Sequence, residues 1–187
     1  MKSLLILLAC FALSMELRAD ETGRRILAEI NLARTQPQAY ADIVERSAGG
    51  SREAVRFLHR ARPLPPLAHS NGLAQAAQSH VEDQGARGAF GHASRDGAPS
   101  FQRIARYGEW LGAAGENIDY GSGGVRESVV RLIVDKGVMG KKHRANIFSR
   151  RFRVAGIAAG PHARYGAMCV MDFAGDFIER GSRFAGR

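Results

Sequence analysis

Two histidines and two acids stand in stretches that suit a site better than a core. His92 lies in Phe90-Gly91-His92-Ala93-Ser94-Arg95-Asp96-Gly97, a turn-rich run that can aim a side chain into a cleft. Glu116 lies in Gly115-Glu116-Asn117-Ile118 and precedes Asp119-Tyr120-Gly121. Asp135 ends an apolar helical run, and His143 falls in His143-Arg144-Ala145-Asn146-Ile147-Phe148. Two neutral imidazoles and two carboxylates offer borderline and hard donors, a set that suits Zn²⁺ or another divalent cation with water in the open positions. The same set suits general acid–base work, because paired imidazoles and carboxylates push one another's pKa values apart. Spacing alone selects neither chemistry. No His-Glu-x-x-His run or close histidine pair occurs, and His92 and His143 can equally satisfy loop backbone groups while Glu116 caps a turn. A Gly-x-Ser-x-Gly elbow is absent, and the closeness of Ser94 to His92 in sequence says nothing about a triad.

The other histidines carry less weight. His80 faces the Leu73 and Ala77 side of its helix and reads as a hydrogen-bonded boundary residue. His59 and His69 flank a proline link and read as surface, and His162 reads as a turn residue between two strands. Tyr107 and Trp110 read as core packing, with a pocket wall as the other role open to them.

The elements that must position these residues follow from periodicity. Ile26, Leu27, Ile30 and Ala33 recur at helical spacing. Thr35-Gln36-Pro37-Gln38 then predicts a new helix start, with Thr35 as cap, Gln38 at the reciprocal box position and Pro37 in an early turn. Tyr40, Ile43 and Val44 form that helix's apolar face, and Ser51 opens a third, short helix carrying Val55, Phe57 and Leu58. Pro63-Leu64-Pro65-Pro66 forces an extended link before a helix over about 70–84. From Gly85 to Gly124 the chain is glycine-rich and lacks a long periodic run, which predicts irregular, functional backbone. A helix returns over 125–134. Two apolar strands, 153–158 and 167–173, are separated by the longer loop 160–166.

The 187-residue chain suits one domain and is large enough to build a core without staples. Met1-Lys2-Ser3 followed by the apolar run Leu4–Leu13 predicts an export signal over 1–19, cleaved after Ala19. Leu7-Leu8-Ala9-Cys10 offers a lipoprotein box as the alternative route, with Cys10 acylated. No later run is apolar enough to cross a bilayer. The expected domain is 20–178, with 179–187 as a loose tail. Cys169, the cysteine left after cleavage, reads as a buried small hydrophobe. The formal charge of +9 invites nucleic acid, but the arginines are scattered, and no zinc finger, recognition helix or aromatic–basic stacking surface accompanies them. Two clusters, Lys141-Lys142-His143-Arg144 and Arg150-Arg151-Phe152-Arg153, bracket a candidate site histidine and suit anionic partners.

In order along the chain stand Ile30-Asn31-Leu32-Ala33-Arg34-Thr35-Gln36-Pro37, Gly91-His92-Ala93-Ser94, Gly115-Glu116-Asn117-Ile118, His143-Arg144-Ala145-Asn146-Ile147 and Gly156-Ile157-Ala158. Together they resemble the CAP superfamily of SCP-like domains, whose members include cysteine-rich secretory proteins, antigen 5 and pathogenesis-related proteins. The bacterial exported branch is the better match. The resemblance implies an α+β fold, an α-β-α sandwich with a central antiparallel sheet, and a cleft lined by two histidines and two acids. It places His92 and His143 as ligands of a divalent cation, with Glu116 as one cleft acid. The second acid falls on Asp135, three residues after Leu132 where the family usually has Trp; Glu127 is the fallback. Asp in place of Glu shortens the reach by a methylene, leaving room for a water. The resemblance implies an exported binding module for a lipid or anionic envelope component; the alternative is a metal-dependent hydrolase of peptide or ester bonds with Glu116 as general base. The disulfides and cysteine-rich extension of eukaryotic members are absent.

Overall fold

The computed structural model describes residues 21–180, so the expected signal over 1–19, Cys10 and the tail beyond Arg180 lie outside the described residues. Helix α1 covers 21–35 of them and runs almost directly into α2 (Pro37–Arg46). Then come α3 (Arg52–Arg60), β1 (Ala68–His69), α4 (Asn71–Gly85), α5 (Ser100–Ala105), β2 (Gly108–Tyr120), α6 (Val125–Val134), α7 (Lys142–Ile147), β3 (Val154–His162) and β4 (Gly166–Glu179). A short 3₁₀ turn, Met139–Lys141, leads into α7. The sheet order is β1-β3-β4-β2. Its three long strands are antiparallel as expected, and the two-residue β1 adds a parallel edge.

Side-chain alternation along the central strands assigns the layers. Cys169, Met171 and Phe173 of β4, with Ala155 and Ile157 of β3, join one core with α1, α2, α3, α6 and α7. Met168, Val170 and Ala174 point the other way, to Ala77, Val81, Leu73 and Ala76 of α4 and Ile104 of α5. Residues Met168–Ala174 are buried throughout, as a strand covered on both faces must be. Helix α4 comes so close to β3 that a Cβ on Gly156 would collide with the backbone of Ala74. Tyr107 and Trp110 pack against the α4–α5 side of the core, as expected.

The reading of 85–124 as irregular backbone needs correction. Residues Ser100–Ala105 form a helix, and Gly108–Tyr120 form a thirteen-residue strand. Glycines at 108, 112 and 115 hide it from periodicity: Gly112 takes φ +77° beside the bulge between Leu111 and Ala114. The β3–β4 connection is also tighter than expected. His162 pairs with Gly166, leaving Ala163-Arg164-Tyr165 as a three-residue hairpin with Gly166 in the left-handed region. Glu179, placed in the tail by sequence, ends β4, where its carboxylate accepts from the Ser70 hydroxyl and the Gly72 amide at the start of α4.

Thr35 does not cap α2. Its hydroxyl donates back to the Asn31 carbonyl, Gln36 is the N-cap residue without a side-chain bond, and Gln38 reaches the Ala61 carbonyl. Ser51 does cap α3, accepting from the Ala54 amide. The Asn31–Arg34 segment works as a backbone clamp. Asn31 both donates to and accepts from the Leu67 backbone, at 3.0 and 2.8 Å. Arg34 is buried and donates to the carbonyls of Pro65, Ile147 and Ser149, fastening α1 to the proline link and to the end of α7. The fork geometry of a guanidinium makes this possible and an ammonium does not reproduce it. Arg34→Lys and Arg34→Ala should both lower stability, the alanine by about 3 kcal/mol because several buried carbonyls lose their donors; chemical denaturation measures it.

Candidate functional site

The expected residues form two histidine–carboxylate pairs, His92 with Glu116 and His143 with Asp135. In the first, His92 Nδ1 lies 2.7 Å from Glu116 Oε1. Glu116 is nearly inaccessible, and its other oxygen is taken by Arg103, itself 1% exposed. The same guanidinium donates to the His92 carbonyl at 3.3 Å and to the Ser94 hydroxyl at 3.2 Å. Arg103 therefore fixes both the acid and the loop that carries the imidazole. Helix α4 fixes that loop from behind: His80 Nε2 and Gln84 Nε2 donate to the Gly91 carbonyl at 3.0 and 2.8 Å. Tyr120 completes the frame by accepting from the Gly91 amide and donating to Gln84 Oε1.

In the second pair, His143 Nδ1 lies 2.7 Å from Asp135 Oδ1, and Asp135 Oδ2 accepts from the His143 amide at 2.9 Å. Asp135 ends α6 with φ +51°, an uncommon conformation for a residue with a side chain. That turn brings the end of α6 to the start of α7, so the shorter acid reaches the ring directly with no water between. Asp135, and not Glu127, is the partner of His143; Glu127 stays in the first turn of α6, against Gly124. Asn117 and Asn146 join the two halves. Asn117 donates to the His143 carbonyl at 3.0 Å, while Asn146 donates to Asn117 Oδ1 at 2.8 Å and to the Glu116 carbonyl. The rings thus hang from consecutive residues of one strand, His92 from Glu116 and His143 through Asn117.

Both acids hold their histidines in the same tautomer. With Nδ1–H donated to a carboxylate, Nε2 carries a lone pair and is the nitrogen free to act as base or metal donor. This is the arrangement that metal-binding imidazoles commonly have toward their supporting carboxylates. The acids themselves are engaged with the rings, which leaves the two Nε2 atoms as the donors open to a ligand; among the described residues no group of three or more His, Cys, Asp or Glu is placed to hold a metal ion. His92 is half exposed at its side chain and His143 is 22% exposed, so ligand can reach either.

Sequence reasoning did not single out Arg103, Asp172, Gln84 or Tyr120. Asp172 had a visible signal: it is the one charged residue in the apolar run of β4. It pairs in register with Glu116 on one side and Gly156 on the other, is 0% exposed, and neither carboxylate oxygen has a hydrogen-bond partner among the described residues. Burial first, then the charge of Glu116, pushes its pKa well up, against a smaller opposing pull from Arg103. Burial and the neighbouring carboxylate thus both favour the protonated form of Asp172. His80 is held neutral in the same pocket, its pKa lowered by burial and then by Arg103. Its Nε2–H bond to Gly91 leaves Nδ1 bare. The expected boundary role becomes a fully buried one. His162 keeps its turn role, with Nδ1 accepting from the amides of Arg164 and Tyr165. Cys169 is buried as expected, and burial pushes its thiol pKa up, away from reactivity.

A raised acid pKa in the folded state means that the native protein holds a proton the unfolded chain releases. Asp172 therefore contributes most favourably below the ordinary carboxylate range, and stability falls as pH rises through the folded pKa. Asp172→Asn should remove that slope and raise stability at neutral pH by about 1 kcal/mol, because the buried amide has no proton to lose as pH rises. Thermal unfolding across acid to neutral pH, wild type against variant, measures both effects; parallel curves would show Asp172 ionised.

The profile of the Cysteine-rich secretory protein family matches residues 27–173. No curated protein matches this chain. Among solved structures, an outer surface protein of Borrelia burgdorferi is similar with a TM-score of 0.50 at 11% identity, covering 79% of this chain and 96% of that one. An extracellular protein containing an SCP domain from Bacillus anthracis is similar at 20% identity, with a TM-score of 0.47, covering 64% of this chain. A cysteine-rich secretory protein of Staphylococcus aureus is similar at 12% identity, with a TM-score of 0.44, covering 75% of this chain. This chain spans 36% and 38% of the length of those last two proteins. The profile covers most of the chain, including all four residues of the histidine–carboxylate pairs, and the chain belongs to the Cysteine-rich secretory protein, or CAP, family.

Proposed function

We propose that this protein is an exported binding domain whose cleft takes an amphipathic, anionic ligand, a lipid or a cell-envelope component, with an exchangeable divalent cation at His92 and His143. The observation that carries the reading is the pair of imidazoles, each locked by a buried carboxylate with Nε2 left over. Two neutral imidazoles supply a borderline donor set, and a cation there would offer an anionic headgroup a Lewis-acidic contact. Support for an amphipathic ligand comes from the approaches to the rings. Phe90, two residues before His92, is 70% exposed, and Met139, four before His143, is 89% exposed. Lys142, Arg150, Arg151 and Arg153 are exposed cations nearby in sequence. Arg144 is not one of them: it is buried, forms two bonds to Glu53 and lies over the Phe57 ring. The solved relatives described as extracellular or surface proteins, and the absence of any membrane-crossing helix among the described residues, agree with an exported domain.

The hydrolytic alternative is the weaker one because it needs Glu116 as general base. One Glu116 oxygen is bound by Arg103 and the other by His92, and the side chain is 1% exposed, which works against its taking a proton from water. Zn²⁺ titration by calorimetry should show one site in wild type and none in the His92→Ala/His143→Ala variant. Mass spectrometry of material extracted from purified wild-type protein should find a bound lipid or anionic envelope fragment. Equal Zn²⁺ affinity in both proteins, or a cleft that stays empty after incubation with native lipid and envelope extracts, would overturn the reading.

A further inference from the structure

Beside the His92 loop an aromatic surface extends outward beyond the site itself. Phe90 packs over Tyr120, with ring centroids 4.8 Å apart, and near Tyr165 at 6.3 Å. Tyr120 and Tyr165 are 5.4 Å apart, and buried His162 closes the cluster from below, 5.3 Å from Tyr120. A single exposed phenylalanine is ordinary on a protein surface. This one is held in place on both sides. His162 donates to the Ala89 carbonyl at 2.7 Å, and the Gly91 amide donates to the Tyr120 hydroxyl at 3.0 Å. The hairpin tip is fastened to the same ledge, because the Ala163 amide donates to the Gly85 carbonyl at the end of α4. With its neighbours pinned, Phe90 has no route to fold its ring inward, and 70% of it faces outward.

The charges around the ring are mostly positive. Arg164 lies over the Tyr165 face at 5.3 Å with no carboxylate partner among the described residues, and Arg87 on the other side of Gly88 is tied only to Asp83, its neighbour on α4. We infer that Phe90, Tyr120 and Tyr165, flanked by Arg87 and Arg164, form a docking surface for an anionic lipid bilayer. An apolar ring projecting from a rigid ledge suits the boundary of headgroups and chains. Half-buried tyrosines suit the same depth, and arginines suit the phosphates. A polysaccharide also stacks on aromatic rings, but it needs hydrogen-bonding groups at their edges. Here Phe90 has none to offer, the Tyr120 hydroxyl is already engaged by Gln84 and Gly91, and the Tyr165 face on which a sugar would stack is covered by Arg164. The surface rests on the reading of the cleft as a lipid or envelope binder for its purpose: Gly91 alone separates Phe90 from His92, so docking would bring the first imidazole to the bilayer surface from which a ligand is drawn.

Co-sedimentation with vesicles tests the proposal. Wild type should bind vesicles of equimolar phosphatidylglycerol and phosphatidylcholine and leave pure phosphatidylcholine vesicles in the supernatant at low salt. Phe90→Ser should weaken binding about tenfold, from the loss of one buried ring, while Phe90→Trp keeps it. Arg164→Gln should weaken binding at low salt, and the deficit should shrink as salt screens the headgroups. Because Phe90 is exposed, circular dichroism of the variants should match wild type. Wild-type binding that Phe90→Ser leaves intact, failure to bind the anionic vesicles, or Phe90-dependent capture by an insoluble cell-wall polysaccharide with no vesicle binding would each overturn it. The His92→Ala/His143→Ala variant separates the two readings: it should keep vesicle binding while losing the cleft's cation, and an empty cleft alongside Phe90-dependent vesicle binding would defeat the cleft reading alone.

Discussion

Arg103 and Glu116 form an ion pair from which water is almost entirely excluded, and the surroundings of the His92 site can be read as consequences of it. Burying two charges is costly unless each finds further partners. Glu116 finds one in His92, and Arg103 finds two in the His92 carbonyl and Ser94. Those bonds draw the 92–94 loop onto the sheet and fix the orientation of the ring. The pair also sets what can stand beside it. One guanidinium neutralises one carboxylate, so a second acid in the same pocket must give up its charge. Asp172 is pushed that way, its pKa raised first by burial and then by the charge of Glu116. His80 meets the same condition from the other sign and stays neutral near Arg103.

The legible part of the fold was the part with one repeating spacing. Helices α1, α4 and α6 and the apolar centres of β3 and β4 carry buried residues at regular intervals, and they lie where the pattern puts them. Strand β2 lacks that pattern because its first half lies on the sheet edge, half exposed and interrupted by a bulge. Its identity comes from pairing with β4, a long-range contact that no local window contains. Thr35 failed as a cap for a related reason. Helix α1 scarcely ends before α2 begins, with the Gln36 amide still bonded to Leu32, so the hydroxyl turns back to Asn31. For the site, the four residues named from sequence are the ones that form the two pairs. The residues that hold them were hidden because a supporting role has no spacing of its own: Arg103 looks like any helix arginine until β2 is laid against α5.

The basic composition divides once burial is known. Arg34, Arg103 and Arg144 serve the interior, where each satisfies carbonyls or a carboxylate. An arginine count therefore overstates the positive surface, and the cluster 141–144 loses one of its charges to Glu53 and commits a second, Lys141, to the Asp135 carbonyl. What remains outside is Lys142 with Arg150, Arg151 and Arg153 on the His143 side, and Arg87 and Arg164 by the aromatic ledge. These are short groups of cations and not a continuous stripe along the chain.

The two histidine–carboxylate pairs reach one result by different means. On the His92 side the imidazole comes from a loop and the acid from a strand, and a buried arginine with three polar side chains supplies the rigidity. On the His143 side the acid and the imidazole flank a single turn, and a left-handed residue supplies it. Both give an Nδ1–H bonded to a carboxylate and an Nε2 with nothing bonded to it. If the acids were the reactive groups, holding both of their oxygens in strong bonds would work against them, since every added donor makes a carboxylate a poorer base. If the imidazoles are the working groups, the same bonds help: they fix the tautomer and the direction of each ring before a ligand or cation arrives. The interactions most costly in desolvation therefore occupy the carboxylate oxygens and orient the two Nε2 atoms, an asymmetry common to both pairs.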